Sequence, residues 1–461
     1  MARGKYQKKS KFSSSLLVII VLLLVVAAGI MAAIYLTKDG GLFDSANTTT
    51  QATTVATTAE PTTEATTEPT TIPTTVVTEP YITSTASIGV TGDMLLHTPL
   101  HASAKNGSTY DFSDMFRFIQ NYYKRYDFMV ANLEVPLAGA DRGYSGYPLF
   151  NSPDAFATDL AEAGVDMVLT SNNHAVDMGK AGLLRTQDVV TEAGLLYLGT
   201  KKTADDPNYV IHEINGIRVG MMCYTYETYS EIEGRKEING IPISKELGAL
   251  VCSFNHNSTQ TLFPDVEKSM AEMKEAGVDV TMMFIHWGQE YELRQNGTQE
   301  FIAQGLCDLG VDVIVGGHPH VIQPFDTLTS STGHTTYCIY STGNAISNQN
   351  RNSLANTSQS IHTEDGMIFG VTFEKWNDGT VNIQEINILP TWVNVYQGES
   401  KRLYYIMPLD IELESWEDFG VKKLSETYGS YKRTMKIVGP GLNAYREAAG
   451  LPLLPMEREN P

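Results

Sequence analysis

Along most of the chain, short apolar runs alternate with stretches in which apolar residues recur every three to four positions. The runs predict strands and the stretches predict helices. Short runs of β-branched and other apolar residues predict buried strands, and each run ends in a polar cluster. Three such runs are VDMVLTSNNH, VDVTMMFIHWG and VDVIVGGHPH. Amphipathic stretches precede them, and the unit of helix, glycine turn and strand recurs around Gly164, Gly277 and Gly310. This alternation predicts an α/β fold with much parallel sheet.

The pattern changes after Asp326, where strand-like runs follow one another without helices between them. These runs are TTYCIYSTGN, GMIFGVTFEKW and VNIQEINILP. They predict a second, more antiparallel sheet. From about Asp410 the chain becomes amphipathic with helical spacing. We therefore expect a domain over residues 87–395 and a helical extension over residues 396–461 that packs on it.

The N-terminal end predicts a membrane anchor. Residues 16–36 are apolar and carry no charge, and a bilayer's hydrocarbon core needs about 20 such residues. Residues 1–15 contain a basic cluster, which the positive-inside rule places in the cytoplasm as a tail. The rest of a single-pass protein would then lie outside the cell. A cleaved secretory signal is the alternative, because AAGIMAA offers small residues within the apolar run.

Residues 37–86 are predicted to form a disordered linker. Their central part, residues 46–80, is rich in Thr with interspersed Pro, Glu and Ala, and it contains no Lys or Arg. It lacks the apolar periodicity that would offset the entropy cost of ordering the chain. We interpret it as an extended, O-glycosylated stalk, and a mucin-like binding segment is the alternative.

Charge and cysteine spacing exclude two classes of site. The chain has 461 residues and a formal net charge of -20. A nucleic-acid-binding protein needs a basic face, so we expect no nucleic-acid partner. None of the four cysteines stands in a C-x-x-C pair, which argues against a cysteine zinc site. Buried free thiols are expected, and one disulfide remains open.

The polar residues that end the predicted strands are candidates for one common site, because ligands bind at the carboxyl ends of strands in open α/β sheets. They are Asp93, Asn132, Glu134, Asn172, Asn173, His174, His286, Glu290, His318, His320 and Asn344. Carboxylates, imidazoles and an amide suit divalent ions. Two ions about 3.5–4 Å apart would need a bridging carboxylate such as Glu134.

Each of these residues also has an ordinary structural interpretation. Asp93 could close a turn, Glu134 could be a solvated loop residue, and His286 could be a hydrogen-bonded core histidine. The pair His318 and His320 favours a ligand role more strongly, because alternate residues on an extended chain point to the same side. Ligand chemistry at five strand ends together would be an odd coincidence, so we predict a metal site.

Six motifs carry these residues in a fixed order: GDM, NLEVP, NNHAVDMG, HWGQEY, GGHPHVIQP and STGN. In that order they resemble the CapA/PgsA family of poly-γ-glutamate capsule proteins, which belongs to the calcineurin-like metallophosphoesterase superfamily. The resemblance covers about residues 87–390. It implies a four-layer α/β/β/α sandwich with a metal centre between the loops of the two sheets.

The resemblance also implies a ligand set for two divalent ions, which would be Mn, Fe or Zn. One ion would take Asp93, Glu134 and His320, and the other would take Glu134, Asn173, His286 and His318. The superfamily has a histidine two residues after the first aspartate, where this chain has Leu95. His97 is close enough in sequence to compensate. A single-ion or metal-free protein therefore remains open at this level.

The resemblance assigns further roles around the ions. His174 matches the general acid that donates a proton to a leaving group. Residues that would orient the ligands or meet the substrate are Asn132, Asp177, Glu290, His97 and Asn344.

Three functions compete on this basis. The first is a membrane-anchored extracellular protein in the synthesis, export or anchoring of poly-γ-glutamate, working with membrane-bound ligase subunits. The second is a surface metallohydrolase acting on phosphoesters or γ-glutamyl amide bonds, and the third is a stalked adhesin with a degenerate enzyme fold. An acidic chain repels an anionic polymer, so Arg142, Arg294 and Arg351 are candidates, beside the ions, for holding it.

Overall fold

The computed structural model describes residues 79–230, 232, 234–255, 257–410, 417–421 and 425–457. The predicted basic tail, the membrane anchor and the linker up to residue 78 lie outside the described residues. Within the described part of the chain, no helix is long and apolar enough to cross a membrane.

Strands and helices alternate along the first part of the described chain. The strands are β1 (Ile82–Leu95), β2 (Lys105–Asn106), β3 (Thr109–Tyr110), β4 (Phe128–Leu133), β5 (Met167–Leu169), β6 (Leu196–Leu198), β7 (Tyr209–Ile214), β8 (Ile217–Glu227), β9 (Glu237–Ile238), β10 (Ile241–Pro242), β11 (Ser253–Asn255), β12 (Val280–His286), β13 (Val313–Gly317), β14 (Phe325–Thr329), β15 (Thr335–Ile339), β16 (Asn344–Ser347), β17 (Asp365–Trp376), β18 (Val381–Gln397) and β19 (Arg402–Pro408). The helices are α1 (Thr98–Ala104), α2 (Gln120–Tyr123), α3 (Ala155–Ala163), α4 (Gly179–Glu192), α5 (Lys245–Gly248), α6 (Leu262–Glu275), α7 (Gly297–Asp308) and α8 (Ser425–Ala448).

The three predicted helix–glycine–strand units correspond to α3–β5, α6–β12 and α7–β13. Each linking glycine has a positive φ, 102° at Gly164, 74° at Gly277 and 86° at Gly310. A residue in this left-handed conformation ends a helix and turns the chain toward the next strand, and glycine adopts it without the penalty of a Cβ atom. The α/β class predicted from the alternation is confirmed.

Most of the strands belong to two large sheets. The first has the order β19-β18-β17-β1-β4-β5-β6, with β16 beside the end of β1. The second has the order β11-β8-β12-β13-β15-β14, with β7 beside β8. Strands β1, β4, β5 and β6 run parallel, and so do β11, β8, β12, β13 and β15. The carboxyl ends of each parallel set therefore lie at one edge of its sheet.

Three apolar clusters stack the layers. One cluster joins the inner faces of both sheets, with Val90 and Phe369 from the first sheet and Met221 and Phe284 from the second. Another packs the outer face of the first sheet against α3 and α4, and a third packs the second sheet against α6 and α7. The described chain thus has helix, sheet, sheet and helix layers. All four cysteines are buried free thiols in these layers, as expected.

The prediction that the late strands form a second, antiparallel sheet is wrong. Strands β17, β18 and β19 extend the first sheet by antiparallel pairing next to β1, whereas β12 and β13 lie in the second sheet. The cause is that β1 pairs with β4 along one edge only, so its other edge is open to a later strand, which is β17. A hydrophobic pattern indicates a strand but not the edge that receives it.

The two predicted ends of the domain over residues 87–395 both need correction. Residues 82–86, assigned to the linker, are part of β1 and pair with β17. The boundary at residue 396 falls inside β18, and β19, assigned to the helical extension, pairs with β18 in the sheet. Helix α8 lies on β14, β17 and β18, where Arg433 forms an ion pair with Asp365 at 2.6 Å.

Candidate metal centre

The carboxyl ends of strands from both sheets meet at one edge of the sandwich. In the first sheet, Asp93 on β1 lies opposite Asn132 on β4, and Glu134 follows β4 directly. In the second sheet, His286 ends β12 beside the last residue of β13. The backbone N–H of His318 donates to Oδ2 of Asp93 at 3.2 Å and so connects the two sheets. The fold therefore brings these predicted site residues together.

Glu134 lies at the centre of this site and is completely buried. Its Oε1 atom is 3.4 Å from Nε2 of His286 and 3.8 Å from Nε2 of His320. None of the described residues forms a hydrogen bond with this oxygen. A buried carboxylate oxygen that has lost its hydration without gaining a partner is costly, so the site favours a cation beside Glu134.

His318 and His320 lie in a turn beyond β13, and both have positive φ values, 97° and 56°. The expectation that they alternate on an extended chain is wrong. A left-handed backbone is uncommon for histidine and costs energy, and such strain concentrates at functional sites. The two ring centroids are 6.0 Å apart, and the ring of His318 lies 4.8 Å from that of His286.

The surroundings of His318 favour its neutral form. Burial and the neighbouring His286 and His320 lower the pKa of His318 well below its usual value. Within the described chain, its Nδ1 atom has no hydrogen-bond partner. We call this nitrogen and Oε1 of Glu134 the orphan pair. An imidazole nitrogen and a carboxylate oxygen are both common metal-ligand atoms.

His320 has the opposite environment. Its Nδ1 atom lies 3.2 Å from Oδ2 of Asp93 and 3.2 Å from Oδ1 of Asn344. Burial disfavours the charged ring, but the carboxylates of Glu134 and Asp93 outweigh burial and raise the pKa of His320 to about 10. Burial alone would raise the pKa of Asp93, but its hydrogen bond and charge interaction with His320 lower it. Asp93 and His320 therefore already stabilise each other.

His174 follows β5 and is held by a buried carboxylate. Its Nδ1 atom donates to Oδ2 of Asp177 at 2.8 Å, and the backbone N–H of Phe150 donates to the same oxygen at 2.7 Å. This pairing keeps the proton on Nδ1 and leaves Nε2 to exchange a proton with a ligand. The adjacent Asn173 places its Oδ1 atom 2.8 Å from Nε2 of His286.

Asn239 is a residue of this site that the sequence analysis missed. It lies at the tip of the β9–β10 hairpin with a φ of 54°. Its Nδ2 atom is 3.4 Å from Nδ1 of His174 and 3.5 Å from Oδ1 of Asp177. The Asn-Gly pair in EINGIP is a hairpin signal and could have located the turn, although not its contact with His174.

Amides orient the acidic and imidazole side chains. Asn132 donates to Oδ1 of Asp93 at 2.7 Å, and Asn172 donates to the side-chain oxygen of Asn132 at 3.2 Å. Asn344 contacts Nδ1 of His320 through its side-chain oxygen. Asn132 and Asn344, which we expected to orient the ligands, thus each contact a candidate ligand side chain, and such contacts fix the direction in which a ligand points.

The charged residues predicted around the site differ in whether they are exposed or already paired with a neighbour. Glu290 is partly exposed beside the two histidines of the turn. Arg351 forms an ion pair with Glu364 at 2.6 Å, whereas Arg142 and Arg294 are exposed. Arg351 is therefore committed to its neighbour in this structure.

The comparison with protein families decides the family of this chain. The family model described as "Bacterial capsule synthesis protein PGA_cap" matches residues 87–349, which is more than half of the chain. The chain belongs to this family. The CapA/PgsA resemblance of the six motifs is confirmed.

Two curated relatives of this PGA_cap chain come from Bacillus. The capsule biosynthesis protein CapA of Bacillus anthracis is 28% identical over 240 residues, which cover 51% of this chain and 54% of that protein. The PGA biosynthesis protein CapA of Bacillus subtilis is 22% identical over 240 residues, which cover 51% of this chain and 57% of that protein. The chain spans about half the length of the curated relatives it matches.

Among solved structures, the calcineurin-like phosphoesterase YfkN from Bacillus subtilis is similar with a TM-score of 0.38 and 14% identity. The alignment covers 76% of this chain and 98% of that chain. A similarity at this level assigns neither the fold nor the function of the PGA_cap chain.

Two overlapping groups of side chains in this PGA_cap chain suit a divalent ion. The first position consists of Asp93, Glu134 and His320, and the second position consists of Glu134, His286 and His318. In each position the ligand atoms lie within 4.8 Å of one another, as they would around an ion with bonds of roughly 2.0–2.3 Å. Both residues of the orphan pair, Glu134 and His318, belong to the second position. The residues present therefore fit a divalent ion.

Leu95 stands where the resemblance leads us to expect a histidine ligand, and its side chain lies in the apolar core. Leu95 packs with Met94 and Leu100 in the apolar cluster under the helices of the first sheet. Nδ1 of His97 is 3.2 Å from the carbonyl oxygen of Leu95, and its ring packs edge-on against Phe150. His97 belongs to neither position, and burial lowers its pKa to about 4. No replacement ligand comes from this part of β1 and its following loop.

Proposed function

We propose that this chain binds two divalent ions, at the first and second positions, and uses them to hold poly-γ-glutamate during the synthesis, export or anchoring of a capsule. The observation that carries the proposal is the orphan pair, two buried unpartnered atoms on residues of the second position. Membership of the PGA_cap family supplies the capsule context, and the two curated relatives are named for capsule and PGA biosynthesis.

The charge of the site supports a role for the ions in polymer binding. Asp93 and Glu134 are buried carboxylates, and the chain as a whole has a formal net charge of -20. A polymer of carboxylates would be repelled by such a surface. Bound Mn, Fe or Zn ions would supply positive charge to anionic oxygens and polarise the group they hold. The ligand types, oxygen and imidazole nitrogen, suit all three metals.

The proposal also includes the location of the protein. Residues 16–36 would cross the membrane with residues 1–15 in the cytoplasm, and the described residues would lie outside the cell. The site would then bind the polymer outside the cell, where the polymer leaves the membrane. Membrane-bound ligase subunits are the partners we propose there.

The second candidate function is hydrolysis of a phosphoester or a γ-glutamyl amide bond, and the contact between His174 and Asp177 favours it. Asp177 fixes the ring of His174 with its Nδ1 proton directed at the carboxylate and would stabilise the imidazolium, so Nε2 could take a proton from the attacking water and give it to the leaving group. The layered fold is also of the type that the metallophosphoesterase resemblance implies.

The test uses the full-length chain purified in detergent. We would measure Mn²⁺ content after dialysis, binding of labelled poly-γ-glutamate with Mn²⁺ or EDTA, and hydrolysis of a phosphodiester and of the polymer. His318→Ala should lower metal content and polymer binding together. His174→Ala should leave metal content unchanged and abolish any hydrolysis. His212→Gln, on β7 and away from the site, is the matched control.

The outcomes separate the two functions. Polymer binding that needs Mn²⁺, without turnover, supports the holding function, whereas turnover lost in His174→Ala supports hydrolysis. A wild-type chain that retains no Mn²⁺ and binds the polymer equally in EDTA contradicts both.

A further inference from the structure

A third group of ligand atoms lies at the open side of the site. Glu290 follows His286 by four residues, in the segment between β12 and α7, and its side chain is partly exposed. One carboxylate oxygen of Glu290 lies within 4.8 Å of ligand nitrogens of both His318 and His320. Glu290 is therefore an additional carboxylate within reach of one histidine of each position, His320 of the first and His318 of the second.

The segment that carries Glu290 is fixed to the histidine turn. The backbone N–H of Tyr291 donates to the carbonyl oxygen of Pro319, between the two histidines, at 2.8 Å. Tyr291 has a φ of 67°, which turns the chain at this point. The contact sets the distance between Glu290 and the histidines through the backbone, so the proximity does not depend on a flexible side chain alone.

Two buried glutamines hold the same segment from the other side. Gln299 and Gln323 are both almost completely buried, and the side chain of Gln299 donates to that of Gln323 at 2.8 Å. Gln323 in turn donates to the carbonyl oxygens of Glu292 and Arg294, at 2.8 and 3.1 Å. Buried side-chain amides that satisfy loop carbonyls make the loop part of the folded core.

The first position lacks a ligand that this carboxylate could supply. Asp93, Glu134 and His320 offer three ligands, and Leu95 offers none because its side chain is a hydrocarbon, here packed in the apolar layer. Divalent Zn, Mn and Fe take at least four ligands, and a water or a further side chain supplies what the first three leave open. We propose that Glu290 is a ligand of the ion at the first position and takes the place of the histidine missing at Leu95. The inference rests on the proposed function, because it requires that ions bind at all.

The test measures ion binding rather than activity. In Glu290→Gln the carboxylate is replaced by an amide of the same size on a partly exposed side chain, so the fold should be unaffected. With the full-length chain in detergent, Mn²⁺ titration should show two ions in wild type. In the variant, the ion at the first position should bind at least about tenfold more weakly, and the other should be unchanged. The electron paramagnetic resonance signal of a coupled Mn²⁺ pair should disappear in the same concentration range.

Glu292→Gln is the matched control, because Glu292 is an exposed glutamate on the same segment. It should bind two ions like wild type. If Glu290→Gln and Glu292→Gln both bind two ions with wild-type affinity, this inference is overturned and the proposed function stands. If the wild-type chain binds no Mn²⁺, the proposed function and this inference fall together. The double variant with His318→Gln would report the affinity of the first position by itself, and it should show the same tenfold loss.

Discussion

The first and second positions share Glu134 but differ in how their other ligands are satisfied. At the first position, Asp93 accepts from Asn132 and from the backbone of His318, and it pairs with His320. At the second position, the orphan pair is buried without hydrogen bonds from the described residues. The two positions lie side by side in one site, and apart from the shared Glu134 only the second contains a ligand residue, His318, with an unpaired nitrogen.

This difference has an energetic consequence. A buried polar atom without a partner costs about 1–3 kcal/mol. An ion at the second position would remove that cost for Glu134 and His318, whereas an ion at the first position would remove it for Glu134 alone. An ion at the first position must also break the contact between Asp93 and His320 before it gains its ligands. We therefore expect tighter binding at the second position and weaker binding at the first.

The largest effect is expected from the residue that both positions share. Glu134→Gln keeps the size of the side chain but replaces a charged oxygen by an amide, so both ions should be lost. Affinity should fall at least about 100-fold at each position, measured as Mn²⁺ retained after dialysis. Glu292→Gln should retain both ions. If Glu134→Gln keeps one ion at wild-type affinity, the two positions do not share Glu134.

Two single histidine variants should separate the positions. His320→Gln removes a ligand of the first position, so the chain should retain one tightly bound ion. His318→Gln removes a ligand of the second position, and the one remaining ion should bind at least about tenfold more weakly than the ion retained by His320→Gln. Mn²⁺ titration of both variants measures the difference. Equal affinities in the two variants, or the reverse order, would contradict the ranking.

Much of the fold and of the site could be predicted from local patterns. The α/β class follows from the alternation of periods, and Glu134 stands out because NLEVP ends a buried strand. Strand ends of a parallel sheet converge, so the polar residues at those ends approximate the site from the chain alone. The candidates from both sheets do come together here, as Asp93 and His286 show.

The rest depends on contacts between segments that are distant in sequence. Strand β19 has a pattern similar to other strands, and only the unpaired edge of β18 explains its place in the sheet. Asn239 reaches His174 because the β9–β10 hairpin folds over it, which no pattern in EINGIP records. The left-handed backbone of His318 and His320 is imposed by the turn after β13, whereas GGHPH by itself suggested an extended chain.

Removal of the ions should destabilise the chain, mainly through the second position. Binding to the folded state alone stabilises by about 4 kcal/mol when the free ion is at 1,000 times its dissociation constant. We expect EDTA to lower the melting temperature of the wild-type chain by several degrees and that of His320→Gln nearly as much. Glu134→Gln, which should hold no ion, should melt at the same temperature with and without EDTA. Differential scanning calorimetry measures all three, and an equal EDTA shift in Glu134→Gln would place the ions elsewhere.

A smaller effect on the pH dependence of stability is expected from His101, a buried histidine that belongs to neither position. His101 on α1 places Nε2 3.0 Å from the hydroxyl oxygen of Ser152, and burial lowers its pKa to about 4. In the unfolded chain His101 binds a proton below about pH 6.5, whereas in the folded chain it stays neutral until about pH 4. The free energy of unfolding that this difference contributes is present above pH 6.5 and is lost as the pH falls toward 4. Between pH 7 and 5 this histidine should account for about 2 kcal/mol of that loss. Urea unfolding in EDTA should therefore show a flatter pH dependence for His101→Gln than for wild type, with parallel curves above pH 7. If the slopes are the same, the acid sensitivity of the metal-free chain comes from elsewhere, and the ligand cluster itself becomes the next place to measure it.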